Sequence, residues 1–186
     1  LHGTALQGVP GEGPSDAEVM MVGEGPGFNE DQQGRPFVGA AGKFLDQVLP
    51  LAGIRRDGVY ITNVVKHRPP GNRDPEPAEL AACLPYLQRQ IEVVQPRIIV
   101  TLGRFSLATF LPGQLISRVH GQPRRLEDRF LYPMYHPAAA LRQDRVKDIF
   151  REDMQRLGRF LHSPQYQTLS RQPEALERPP EQLGLL

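Results

Sequence analysis

Four short apolar runs, spaced along the chain, restrict what it can fold into more than any other feature. They are VMMVGE (residues 19–24), VYITNVV (59–65), RIIVTLG (97–103) and RFLYPMYH (129–136). Continuous apolar runs of this length read as strands covered on both faces. The segments between them have helical spacing. Residues 40–52 (AAGKFLDQVLPLA) form one such segment, with Pro50 expected to end or kink the last turn. Residues 77–94 form a second, where Leu80, Cys83, Leu84, Leu87, Ile91 and Val94 make one apolar stripe and Pro77 suits a first-turn position. Residues 104–111 and 145–161 continue the alternation. Strand, helix, strand, helix predicts an α/β fold with a mainly parallel four-stranded sheet covered on both faces.

A chain of 186 residues with 39% apolar content can bury one good core but hardly two. The predicted division is a single domain over residues 1–162 and a polar, proline-rich tail over 163–186, readable as a partner-binding segment. The opening residues are loop-like, and those before Gly11 are expected to be poorly ordered. The first residue is not methionine, which suggests a start inside a longer product. No apolar run approaches the roughly 20 residues of a membrane span and no signal-like h-region opens the chain, so a cytoplasmic, monomeric protein is expected. Cys83 is the only cysteine, which excludes an internal disulfide and any site with several cysteine ligands from this chain.

Two blocks hold the chemistry. The first, GEGPGFNED (residues 23–31), follows the first apolar run; the second, HPAAAL (136–141), follows the last. Ends of parallel strands are where open α/β sheets build ligand sites. Gly23, Gly25 and Gly27 let backbone approach a ligand, Pro26 stiffens the turn, and Glu24, Glu30 and Asp31 supply carboxylates. A phosphate loop is the rival reading, opposed by three acidic residues and the absence of a P-loop lysine. Phe37, between turn-formers in GRPFVG, suits either the core or the stacking wall of a base pocket. Asn63 closes the second strand with a donor and an acceptor side by side, matching a pyrimidine edge, or else caps the next loop. His136, before Pro137, could donate to a developing anion or be an ordinary loop histidine. Net charge is only +1, but Arg68 and Arg73 flank a proline-rich loop, and Arg118, Arg124, Arg125, Arg142 and Arg145 surround the second block. They form a basic rim if those loops share one end of the sheet, and a solvated surface if they do not.

In order, GEGPG with Glu30 and Asp31, GRPFVG, YITNVVK, RPPGNRDP and HPAAAL resemble the uracil-DNA glycosylase superfamily, and its iron–sulfur-bearing family 4 most closely, over roughly residues 11–161. The resemblance implies a three-layer α/β/α sandwich and base excision repair of uracil flipped out of single- or double-stranded DNA. It implies that Glu24 and Gly25 bound the uracil and the attacking water, with Glu30 and then Asp31 as lesser candidates for orienting that water. It further implies that Phe37 stacks on the ring, Asn63 reads the N3 and O4 edge, and His136 donates to O2. Residues 137–142 resemble the loop that enters the minor groove, with Leu141 the wedge and Arg142, Arg68 and Arg73 contacting DNA.

Family 4 carries a 4Fe-4S cluster on four cysteines. Cys83 stands in the last of these positions, His67 stands where the third is expected, and the second would fall just before Leu1. No cofactor is therefore expected in this chain, the alternative being a cluster completed by upstream cysteines with His67 and Cys83 as ligands. A related subgroup with the same Lys-His context crosslinks to uracil-DNA through a second histidine in a basic insertion. Residues 68–80 have neither, which favours turnover. Two other readings remain: a uracil-DNA-binding protein of the same fold with weak or no catalysis, and a nucleotide hydrolase using the glycine loop.

Overall fold

The computed structural model describes residue 1 and residues 3–169. The strands are β1 (Val19–Gly23), β2 (Tyr60–Asn63), β3 (Ile98–Leu102), β4 (Arg124–Arg125) and β5 (Phe130–Met134). The helices are α1 (Phe28–Gln33), α2 (Ala40–Val48), α3 (Pro77–Val94), α4 (Arg104–Phe110), α5 (Ile116–Val119), α6 (Pro137–Arg142), α7 (Asp144–Leu161) and α8 (Pro164–Gln167). The sheet runs β2-β1-β3-β5-β4. Its first four members are parallel, as expected, and β4 adds a fifth strand antiparallel to β5. Periodicity could not find β4, because it is two exposed arginines with no apolar signal.

Side chains alternate across β1. Val19 and Met21 join Phe44, Leu45, Phe150, Met154 and Leu157 on one face, while Met20 and Val22 join Leu87 and Val94 on the other. Helices α2, α7 and α8 thus cover one face and α3 the other, completing three layers. The strands are shorter than the apolar runs because their last residues leave the ladder to build loops; Val64 and Val65 donate instead to the carbonyls of Gly23 and Glu24 at 3.0 and 3.1 Å. Pro50 ends α2 as anticipated, passing the chain into a 3-10 turn over Leu49–Ala52.

Two expectations about the ends are corrected. The residues before Gly11 are anchored: Val9 is fully buried and donates to the Lys66 carbonyl at 2.7 Å, and Glu12 exchanges backbone hydrogen bonds with Ile61 along the β2 edge. At the other end, residues 163–169 continue the folded domain, with Tyr166 and Leu169 in its core, instead of starting a tail. Tyr166 is buried against Phe130 and Phe160 beneath the Arg97 guanidinium, and Leu169 is buried beside it. A lone tyrosine and leucine amid polar residues leave no periodic pattern to read. The proline-rich stretch from residue 170 lies outside the described residues. No helix among those described is long and apolar enough to cross a membrane.

Candidate active site

The chain places β2 on one side of β1 and β3 on the other, so the carboxyl ends of β1 and β3 flank a topological switch point, where open sheets leave a crevice. A cavity of about 540 Å³ lies there. Glu24, Gly25, Glu30, Phe37, Asn63, Arg73, His136 and Arg142 all line it, which brings both sequence blocks into one site.

Glu24 leaves β1 and its Oε1 accepts the backbone N–H of Phe105 at 3.1 Å, in the first turn of α4. Burial raises its carboxyl above the ordinary range, with the backbone hydrogen bonds at Phe105 and Arg104 acting in the opposite direction. Gly103 makes this contact possible: it sits at φ +99°, and a Cβ there would come 2.3 Å from the Glu24 carboxylate. Neither Gly103 nor Arg104 was picked out by the sequence reading, although a glycine closing the third apolar run is the same signal that marks the first.

Glu30 is buried and organises backbone. Its Oε1 accepts from Val38 and Gly39 at 2.9 and 2.8 Å, and its Oε2 accepts from Gly27 at 3.2 Å. These bonds fix the turn carrying Phe37, which adopts φ +51°, a conformation costly for a bulky residue. Arg56 clamps the same turn, donating to the carbonyls of Pro36 and Phe37 at 2.7 and 3.0 Å while pairing with Glu12 and Asp46. Helix α2 closes from behind, where a Cβ on Gly42 would meet the Phe37 carbonyl at 1.8 Å. The result is a phenyl ring stacked on His136, centroids 5.8 Å apart and planes 29° from parallel.

His136 precedes α6, and its Nδ1 accepts the Ala138 backbone N–H at 3.1 Å. The proton of the neutral ring is therefore on Nε2. Burial, reinforced by the nearby Arg142 cation, pushes the imidazole pKa down to about 4. A neutral donor with a fixed tautomer results. Asn63 is 1% exposed, and its Oδ1 is buried without a hydrogen-bond partner among the described residues. Such an atom costs free energy unless a ligand donates to it.

Lys66 supports Asn63 from behind the strand. Its buried ammonium donates to the Asn63 carbonyl at 2.6 Å, Thr62 Oγ1 at 2.8 Å and Gln90 Oε1 at 2.7 Å, and burial lowers its pKa to about 7. Lysine is ordinarily exposed, so its type gave no hint of this position.

Asp31 does not reach the cavity. It is buried on the outer side of α1, where its Oδ1 accepts the Leu6 and Gln7 N–H groups at 2.9 and 3.4 Å and ties down the opening segment. The basic rim is also narrower than expected. Arg73 is neutralised by Glu79 at 2.6 Å and Glu76 at 3.4 Å, and Arg104 pairs with Asp74. Arg125 pairs in register with Phe130, at the start of β5, and so lies away from the cavity end of the sheet, with Arg124 beside it. Arg142 lines the cavity and, like Arg68, has no ion-pair partner among the described residues. Leu141, on the same short helix, is 47% exposed.

Cys83 is buried, its Sγ accepting the Lys66 backbone N–H at 3.5 Å, and the His67 ring lies against Gly8. Among the described residues, no three His, Cys, Asp or Glu side chains gather as a metal-binding group. A single thiol does not fit the donor set of an iron–sulfur cluster.

A parallel sheet with its ligand cavity at the switch point, walled by an aromatic ring, a fixed neutral imidazole and an orphaned amide, defines an α/β domain built to hold a small planar polar molecule. The model of the uracil DNA glycosylase superfamily matches residues 10–158. The chain is 47% identical over 171 residues to the type-4 uracil-DNA glycosylase of Sulfurisphaera tokodaii, covering 87% of this chain and 78% of that protein. It is 45% identical over 168 residues to the type-4 enzyme of Archaeoglobus fulgidus, covering 85% and 84%, and 44% identical over 166 residues to that of Thermotoga maritima, covering 87% and 86%. The chain belongs to the uracil-DNA glycosylase superfamily.

Proposed function

We propose that this protein is a DNA repair hydrolase that removes uracil from DNA, acting as a monomer on a nucleotide turned out of the helix. Uracil stacks on Phe37 against the backbone of Gly25, and Asn63 pairs with its N3–H and O4. Cytosine has a donor at C4 and no proton on N3, so the same amide rejects it. The C1′–N1 bond breaks with its electron pair moving into the base, and His136 Nε2–H donates to O2, where charge grows. The Glu24 carboxylate orients the water, whose oxygen joins C1′ as its proton passes to Glu24 and then neutralises the departing uracil anion, and its charge stabilises the positive sugar, while Glu30 holds the loop. Leu141 fills the gap left by the base, and Arg142 and Arg68 meet phosphates. The observation carrying this reading is that Asn63, whose buried Oδ1 has no hydrogen-bond partner among the described residues, lines a cavity shared with Phe37 and His136. Release of free uracil from single- and double-stranded oligonucleotides is the expected outcome. Tight binding without release would favour the binding-only reading, and magnesium-dependent cleavage of nucleoside triphosphates would favour the hydrolase.

We further propose that this chain by itself assembles no intact iron–sulfur cluster, since Cys83 is its only cysteine. Anaerobic purification followed by iron and acid-labile sulfide analysis should find neither in stoichiometric amount; a stoichiometric cluster would overturn this and make His67 a ligand.

A further inference from the structure

Phe28 is 55% exposed and directly follows Gly27, a cavity-lining residue. A large aromatic side chain left open at the edge of a polar site is unusual, and it is not isolated. The Arg68 guanidinium lies over its ring, 5.1 Å from the centroid. Arg68 is itself steered by Asn72, whose Oδ1 accepts from Nε at 2.6 Å and which lines the cavity alongside Pro69. The arrangement thus joins two loops, those following β1 and β2, across one side of the opening. Its charge also differs from its surroundings. Arg73 and Arg104, on the same cavity wall, are held by carboxylates, whereas Arg68 faces none among the described residues.

An exposed aromatic face beside an uncompensated guanidinium matches a nucleotide, with a π-surface for the base and a cation for the phosphate. Excision requires one nucleotide to leave the stack and enter the cavity. The base next to it in the same strand then loses a stacking neighbour at the point where Phe28 stands. We propose that Phe28 and Arg68 form a second nucleotide subsite, which receives the base adjoining the excised uracil by stacking on Phe28 and directs Arg68 to the phosphate between them. This makes Phe28 a determinant of flanking-sequence preference, because purines offer more stacking surface than pyrimidines.

The inference rests on the cavity being the uracil site. The test uses single-stranded oligonucleotides with one uracil in which the 5′ or the 3′ neighbour is a base or a tetrahydrofuran abasic analogue. Wild-type kcat/KM should fall about fivefold or more when the base is removed on one side, in line with the value of one base–aromatic stack. In Phe28→Ala the ratio between intact and abasic flanks should approach one, and Phe28→Trp should restore it. Because the readout is a ratio, it does not depend on the fraction of active protein. Indifference of the wild type to both abasic neighbours, or an unchanged ratio in Phe28→Ala, would overturn the subsite. Absence of uracil release from every substrate would instead count against the reading of the cavity.

Discussion

His136 and Glu24 are tuned in opposite senses by the same burial. For His136, a ring that stays neutral to about pH 4 donates through Nε2 without becoming a cation at working pH. His136→Ala should lower single-turnover excision by about 10² or more with little change in DNA affinity, since the bond strengthens as the leaving group forms. The folded pKa lies below the ordinary 6.5, so the unfolded chain binds this proton more readily. The stability contributed by the neutral ring is full above pH 6.5 and is lost as pH falls toward 4, which urea titrations of wild type and His136→Gln across that window should display. Glu24 runs the other way. Its folded pKa is raised, so its ionisation opposes folding as pH rises, and Glu24→Gln should unfold at higher urea near pH 7 while excising far more slowly. Strand-end position made Glu24, Asn63 and His136 legible as cavity residues, and flanking turn-formers did the same for Phe37. Residue type does not reveal that the Asp31 carboxylate serves two amides of the opening segment, or that the Arg73 guanidinium is held by Glu79.

At the scale of elements, the turn holding Phe37 is made by parts distant in sequence: Glu30 from α1, Arg56 from the loop before β2, and the close approach of α2 at Gly42. Gly42→Ala should therefore cost about 1–3 kcal/mol by denaturant unfolding, as overpacking does, and should also reduce excision by displacing the ring. Strands and long helices were readable from apolar spacing; α3 begins at Pro77 and ends at Val94 as the stripe required. What escaped were elements too short to have a period, namely β4 and the helices α1, α5, α6 and α8, with α6 expected as a loop, and the opening segment. That segment's hydrogen bonds to β2 are made by backbone, which sequence does not display.

For the molecule as a whole, the alternation of elements was enough to derive a covered parallel sheet, and the order of its strands locates the cavity. The distribution of charge was not derivable, because it depends on which arginines face carboxylates. With Arg73 and Arg104 paired and the β4 arginines away from the cavity end, the proposed DNA contact rests on Arg142, Arg68 and their neighbours. Binding to duplex should weaken with salt, with a log–log slope of about −0.9 per phosphate neutralised, and Arg142→Gln should flatten that slope by about one contact. Equilibrium titrations at several salt concentrations measure both quantities.

The unpartnered oxygen of Asn63 also ties the resilience of the fold to its product. On the proposed reading, free uracil presents a donor that this oxygen lacks among the described residues, so the base should bind the folded chain and not the unfolded one, stabilising it by RT ln(1 + [L]/Kd) and raising its melting temperature. Thymine, which carries a methyl group at C5 of the same ring, offers the same N3 donor on a bulkier base and serves as the steric control in a thermal-shift titration. The site's demand for a donor thus becomes measurable as heat resistance, gained in the presence of the free base and lost without it.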